Sequence, residues 1–191
     1  MGCLRLGVFT TFACLLAVTT TPTEGSDVQV LTLDGTTVAP LVAPSGVTVL
    51  LFVTTDCPIA NRYVPEVRRI HEVFGDDVTF WLVYVGADRT IAELTAHHIS
   101  FGFPFTALRD SKGVLVATTG VTVTPEVAVY GADQQLVYRG RIDDQYVAFG
   151  VTRAAPTTQD LRNVLKRLVV GEHVAFTETQ AVGCYIPGTH G

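Results

Sequence analysis

The segment VTVLLFVTTDCPIANRYVPEVRRIHEVF, residues 47–74, runs a strand, a cysteine and a helix together without a break. Residues 47–53 are apolar or β-branched throughout, the pattern of a central strand buried on both faces. From Pro58 the apolar positions are Ile59, Tyr63, Val67, Ile70 and Phe74, a spacing that predicts one buried helical face, with Arg68, Arg69 and Glu72 on other faces. Pro58 suits the first helical position, where its missing N–H would be unpaired anyway. Cys57 is thereby set at or near the N-cap, and the partial positive charge of the helix end favours its thiolate, the form that attacks peroxides and disulfides. Asp56 works against that ionisation if it lies close, and Arg62 works for it. Three residues past Cys57 stands Ala60, so the turn holds one cysteine and no Cys-x-x-Cys pair.

Outward from this segment, VQVLTL (28–33) alternates like a short strand and VTFWLVYV (78–85) reads as a second buried strand. TIAELTAHHISF (90–101) predicts an amphipathic helix, followed by FTALRD (105–110) and a Lys112-Gly113 turn. EVAVY (126–130) and QLVYRGRI (135–142), joined through GADQ, predict a hairpin. TQDLRNVLKRLVV (158–170) predicts the last helix, with Thr157 or Thr158 as N-cap and Gly171 as the stop. The expected class is α/β, a central mixed sheet flanked by helices on both faces, with a C-terminal tail. Residues 143–156 read as a long connection, and 172–191 as that tail.

With 191 residues, 48% of them hydrophobic and 16% charged, the chain is long enough for one ordinary globular core. Its net charge of −5 offers no basic face for phosphates, which sets nucleic acid aside as a partner. Near the N-terminus, the uncharged run from Leu6 to Val18 is too short for the ~20 residues of a membrane-spanning helix and fits a secretory signal peptide over residues 1–25. The expected localisation is therefore exported, periplasmic or secreted. Cys3 and Cys14 would leave with the signal, and Cys57 and Cys184 would remain. Two cysteines in an exported chain point to a structural disulfide or a working redox pair.

A second feature bears on Cys57. GVTVTPEVAVY (120–130) places Pro125 immediately before a predicted strand, where proline is tolerated at the strand's first residue or with a cis bond. A buried strand, T-x-x-C-P, a long helix, βαβ, and T-P before a hairpin and final helix together resemble the thioredoxin fold, over residues 27–171. More narrowly, CPIANRYVPE, GRIDD, the AP-T-x-x-DL stretch and A-V-G-C-x-I-P resemble an exported bacterial subgroup of redoxin-domain proteins. That branch includes alkyl hydroperoxide reductase and the thiol-specific antioxidant proteins. The resemblance implies a cis Pro125 lying against Cys57, with Thr124 beside it and backbone groups able to pair with a substrate. It also implies a peroxide-binding role for Thr54, three residues before the cysteine. The peroxiredoxin pattern is departed from at Leu50, where a proline is usual, and at the later strand, where Thr124-Pro125 replaces the usual arginine. Arg139 or Arg141 would substitute for that arginine or be exposed strand charges. Pro58, Arg62 and Arg141 are the candidate substrate-binding residues.

Cys184 admits three readings: a resolving cysteine for Cys57, a structural partner closing a loop of 127 residues, or a free thiol. A structural bridge of that span contributes about 4–5 kcal/mol on the chain-entropy estimate. The tail is long enough, at up to ~3.3 Å per residue, to return to Cys57. Asp143 and Asp144 are expected to end a strand and pair with Arg139 or Arg141. The expected function is an exported thiol-dependent oxidoreductase, a thiol peroxidase or thiol-disulfide oxidoreductase, in which Cys57 attacks a hydroperoxide or protein disulfide and an external thiol regenerates it. No cofactor is implied. The alternatives are a non-catalytic binding module stapled by a Cys57–Cys184 disulfide, and a metal-handling protein using His71, His97, His98, His173 or His190. The latter lacks a second thiolate near Cys57, since the residue four positions on is Asn61.

Overall fold

The computed structural model describes Gly2 and residues 28–187. Apart from Gly2, the proposed signal segment, with Cys3 and Cys14, lies outside the described residues, as does His190. The chain runs β1 (Val30–Thr32), β2 (Thr37–Val38), β3 (Thr48–Val53), α1 (Pro58–Phe74), β4 (Thr79–Val85), α2 (Ile91–Phe101), β5 (Ala107–Asp110) and α3 (Val114–Thr119). It continues through β6 (Val123–Thr124), β7 (Glu126–Tyr130), β8 (Leu136–Gly140), β9 (Tyr146–Ala148), β10 (Val151–Thr152), α4 (Asp160–Val169), β11 (Thr177–Glu178) and β12 (Cys184–Tyr185).

Eight strands form the central sheet, in the order β11-β8-β7-β3-β4-β5-β1-β2. β3, β4 and β5 are parallel, and β7 lies antiparallel to β3 on its other side, so the sheet is mixed. Every residue of β3 is buried, as the uninterrupted apolar run requires. Its alternate side chains serve two cores. Val49, Leu51 and Val53 pack with α1, α2 and α4 through Ile59, Tyr63, Ile70, Leu94, Leu161 and Leu165. Leu50 and Phe52 pack on the other face with Leu115 and Val116 of α3 and with Ile186 from the tail. Burying each such side chain contributes about 1.5–3 kcal/mol, so the sandwich holds β3 and the turn that follows it firmly in place.

Helix α1 starts at Pro58 with Cys57 as its N-cap, as the sequence predicts. Thr90 caps α2 in a reciprocal capping box with Glu93. Three segments depart from expectation. The residues after the Lys112-Gly113 turn form α3, a helix too short to display a periodicity; Asp110 supplies its start by accepting from the amides of Val114 and Val116 at 2.7 and 3.0 Å. The connection 143–156 contains the β9–β10 hairpin. The N-cap of α4 is Gln159, without a side-chain cap bond, because Thr157 and Thr158 are turned to Asp144 instead.

The expected Asp–Arg pairing is also rearranged. Asp143 accepts from Tyr63 at 2.6 Å, while Asp144 takes the amides of Thr157 and Thr158 and pairs with Arg153 at 3.2 Å. Arg139 pairs with Glu178 of β11, and Arg141 with Asp160 of α4. Both arginines are thus partly buried fasteners rather than exposed strand charges. The tail is bound at two points: β11 runs parallel to β8, and β12 runs antiparallel to β6.

Candidate active site

The turn between β3 and α1 delivers Cys57 with 0% exposure. Its backbone is extended (φ −77°, ψ 107°), which is what an N-cap needs, and its sulfur accepts from the Ala60 amide at 3.5 Å. The thiol donates to the carbonyl of Thr124 at 2.9 Å. The Thr124–Pro125 bond is cis, and Thr124 is fully buried. The Thr124 hydroxyl lies 3.4 Å from that of Thr54. Cys57, Thr54, Thr124 and Pro125, separated by up to 71 positions in sequence, therefore meet at one point.

Cys184 joins them. In the β12–β6 ladder it stands opposite Thr124, whose carbonyl receives the Cys57 thiol. The amide of Ile186 donates to Thr122 at 2.9 Å, fixing the same register from the other side. Both cysteines are thiols here. The Cys184 thiol is pushed up to about 12, first by burial and then by its hydrogen bond to Cys57 and by the charges of Cys57 and Asp56. Cys184 therefore holds its proton at neutral pH.

The approach of the tail depends on Gly183. A Cβ at that position would overlap the carbonyl of Thr124, so only glycine lets the chain run this close to the cis-proline turn. Cys184 then lines a cleft of about 240 Å³ with Thr54, Thr55, Asp56, Arg89 and Tyr185 among its neighbours. Arg89 approaches Asp56 at 3.8 Å across this cleft.

A buried polar relay supports the turn from behind. Tyr84 of β4 lies 2.7 Å from Nδ1 of His97, whose Nε2 is 3.0 Å from Oδ1 of Asn61. The Asn61 amide in turn donates to the carbonyl of Thr55 at 3.1 Å. With Nε2 protonated, the neutral ring donates to Asn61 and accepts from Tyr84, and burial lowers the His97 pKa, favouring that neutral form. Both ring nitrogens are thereby occupied by protein groups. Among the described residues, no three or more His, Cys, Asp or Glu side chains gather as a metal site.

The remaining candidates stand apart from this cluster. Pro58 is exposed at the first position of α1, and Arg62 is exposed on the same helix. Arg141 is engaged by Asp160 at 2.8 Å and does not line the cleft at Cys184. The relay residues and Gly183 escape sequence reading because their importance lies in who touches them. The adjacent Gly183-Cys184 pair is the one available signal, a residue without a side chain beside a candidate thiol.

Among solved structures, an uncharacterized conserved protein from Geobacillus kaustophilus superposes with a TM-score of 0.71 at 21% identity, covering 83% of this chain and 86% of that one. A secreted Mycobacterium tuberculosis disulfide oxidoreductase homologous to E. coli DsbE gives a TM-score of 0.53 at 21% identity, covering 77% and 97%. A thioredoxin-like protein from Aeropyrum pernix gives 0.54 at 16% identity, covering 61% and 81%. No protein-family model matches the chain, and no curated protein matches it. The chain has a thioredoxin-like fold, and the observed sheet, helices and cis-proline turn agree with that expectation.

Proposed function

We propose that this chain is an exported thiol-dependent oxidoreductase whose redox couple is the Cys57–Cys184 pair, a dithiol in one state and an intrachain disulfide in the other. The observation that carries the reading is the β12–β6 register, which sets Cys184 opposite Thr124 while Thr124 holds the Cys57 thiol. A tail that returns 127 residues to meet a helix-capping cysteine supplies the second thiol that Ala60 does not.

In the oxidative half, the Cys57 thiolate attacks one sulfur of a substrate disulfide, expelling the other as a thiolate. Cys184, giving up its proton, then attacks Cys57, releasing the remaining substrate thiolate and closing the intrachain bond. An external thiol reopens it, so two electrons pass from that thiol to the substrate disulfide. Protein disulfides are the favoured substrate class. Hydroperoxide, the oxidant of the alkyl hydroperoxide reductase and thiol-specific antioxidant branch, is the second candidate, favoured by Thr54 at the rim of the cleft. With it Cys57 would pass through a sulfenic acid that Cys184 resolves with loss of water. Either oxidant reaches Cys57 only when the tail yields, because the residue is fully covered. Export rests on residues 1–25, and the Mycobacterium structure is likewise described as secreted.

The test is turnover of a peptide disulfide, and separately of a hydroperoxide, against excess thiol. Wild type is expected to turn over and Cys57→Ser to be inactive. Equal rates for the two would overturn the reading and leave a non-catalytic binding module stapled by its disulfide.

A further inference from the structure

The two sulfurs differ sharply in access. Cys57 has 0% exposure, and its sulfur is already met by the Thr124 carbonyl at 2.9 Å and the Ala60 amide at 3.5 Å. Cys184 is half-buried and lines the cleft of about 240 Å³. Because Gly183 and Cys184 lie over Thr124, the tail that brings the second sulfur is also part of what covers the first.

Thiol–disulfide exchange is a displacement at sulfur. The attacking sulfur approaches from the side opposite the leaving one, and access decides which of the two is attacked. For a disulfide between these residues, an approach to Cys57 would have to come through packed protein. An approach to Cys184 comes through the cleft.

We infer that the thiolate regenerating the oxidised protein attacks Cys184, and that Cys57 is the leaving group. The inference rests on the Cys57–Cys184 disulfide couple proposed above. An incoming R–S⁻ forms a bond to Sγ of Cys184, the bond between Cys184 and Cys57 breaks, and Cys57 departs as a thiolate. The product is R–S–S–Cys184. A second R–S⁻ attacks the R sulfur of that mixed disulfide, releasing R–S–S–R and the Cys184 thiolate, which takes a proton from water. The Ala60 amide aimed at Sγ of Cys57 and the helix end behind it receive the departing charge. Electron entry and exit are thereby divided: Cys57 gives electrons to the substrate, and Cys184 takes them from the reductant. Cys184, for which the sequence offers a resolving, a structural or a free-thiol role, becomes the docking sulfur for the reductant as well as the resolving thiol.

Sulfite is a suitable probe, because it cleaves a disulfide into one S-sulfonate on the attacked sulfur and one thiolate on the other. The full-length protein is oxidised, and the bridge is verified as a loss of two hydrogens in intact mass. Excess sulfite is then added without denaturant, and the modified peptides are mapped. The S-sulfonate is expected on Cys184 over Cys57 by at least ~10-fold, given the difference in access, and in urea the preference should vanish. A parallel reaction with glutathione, quenched in acid, should give the mixed disulfide on the Cys184 peptide. Modification mainly at Cys57, equal modification of both, or resistance to sulfite until urea is added would each overturn the inference. Absence of the two-hydrogen mass loss on oxidation is a different result, since it removes the disulfide couple itself.

Discussion

Gly183 lies against the carbonyl of Thr124 so closely that the space for a Cβ is already filled by backbone. Its φ is not among the left-handed ones, so the requirement is proximity and not conformation. The Thr124 carbonyl is also the acceptor for Cys57, which makes this contact the point where the tail, the cis-proline turn and the helix cap are set against one another.

Gly183→Ala is therefore expected to lift β12 from β6, at a cost of about 1–3 kcal/mol for overpacking against rigid backbone. Cys57 should become open to alkylation in the folded protein, and disulfide formation with Cys184 should slow. Global stability should fall less than tail docking does, since β12 pairs with the two-residue β6 and not with the eight-stranded sheet. Alkylation kinetics beside a urea melt would check this; an unchanged Cys57 reactivity would show that the tail tolerates the extra methyl.

The Cys184 thiol offers a direct titration. In the reduced protein it is held at about 12, above its ordinary 9.0, by burial first and then by Cys57. Cys57→Ser removes the second cause and leaves the first, so the thiol should titrate lower than in wild type yet still above 9.0. Thiolate absorbance followed against pH measures the shift. A Cys184 pKa indifferent to Cys57 would mean that the sulfurs do not interact.

Much of this arrangement is legible in the sequence because it depends on local chemistry. The apolar run of β3 and the proline at the start of α1 each carry their own signal, and each element forms where that signal places it. Cys57 is found the same way, as the residue between a buried strand and a proline-led helix. What escapes is decided at a distance. α3 spans six residues and depends on the Asp110 carboxylate, while Thr157 is drawn from capping α4 by Asp144. The His97 relay joins residues from β4, α1 and α2, none of which marks the others in sequence. Cys184 is legible as a thiol, but its partner strand is only two residues long and carries no pairing signal.

His97 makes stability depend on pH in a defined direction. Burial lowers its folded pKa below the ordinary value of about 6.5, so below that pH the unfolded chain binds a proton that the folded chain does not. This contribution is fully present above about pH 6.5 and is lost as pH falls toward the folded pKa. Asp110, Glu126 and Asp143 act oppositely over the acidic range, because burial raises their pKa values and the folded state then holds the extra proton. The comparison that isolates the histidine is wild type against His97→Gln. Urea midpoints at neutral pH and at mildly acidic pH should fall more for wild type than for the variant, and parallel falls would remove His97 as the cause.

Tyr63 and Asp143 carry the last test. The phenol of α1 donates to the carboxylate at 2.6 Å, both groups are buried, and the ring of Tyr146 packs on that of Tyr63 with centroids 5.2 Å apart. Tyr63→Phe keeps the ring and its packing but takes the phenol donor from Oδ1 of Asp143, which the Gln145 amide also meets at 2.9 Å. Losing a hydrogen bond to a buried charged acceptor costs about 1.5–3 kcal/mol. The Asp143 pKa, already raised by burial, should rise further, since the Tyr63 bond is one of the causes that lowers it. Stability of the variant should therefore recover part of its loss as pH falls through the folded pKa of Asp143, where the carboxyl becomes neutral and no longer needs the missing donor. Denaturant melts of Tyr63→Phe and wild type across the acidic range give the difference curve. A stability gap that stays constant with pH would mean that the lost bond does not act through the charge of Asp143.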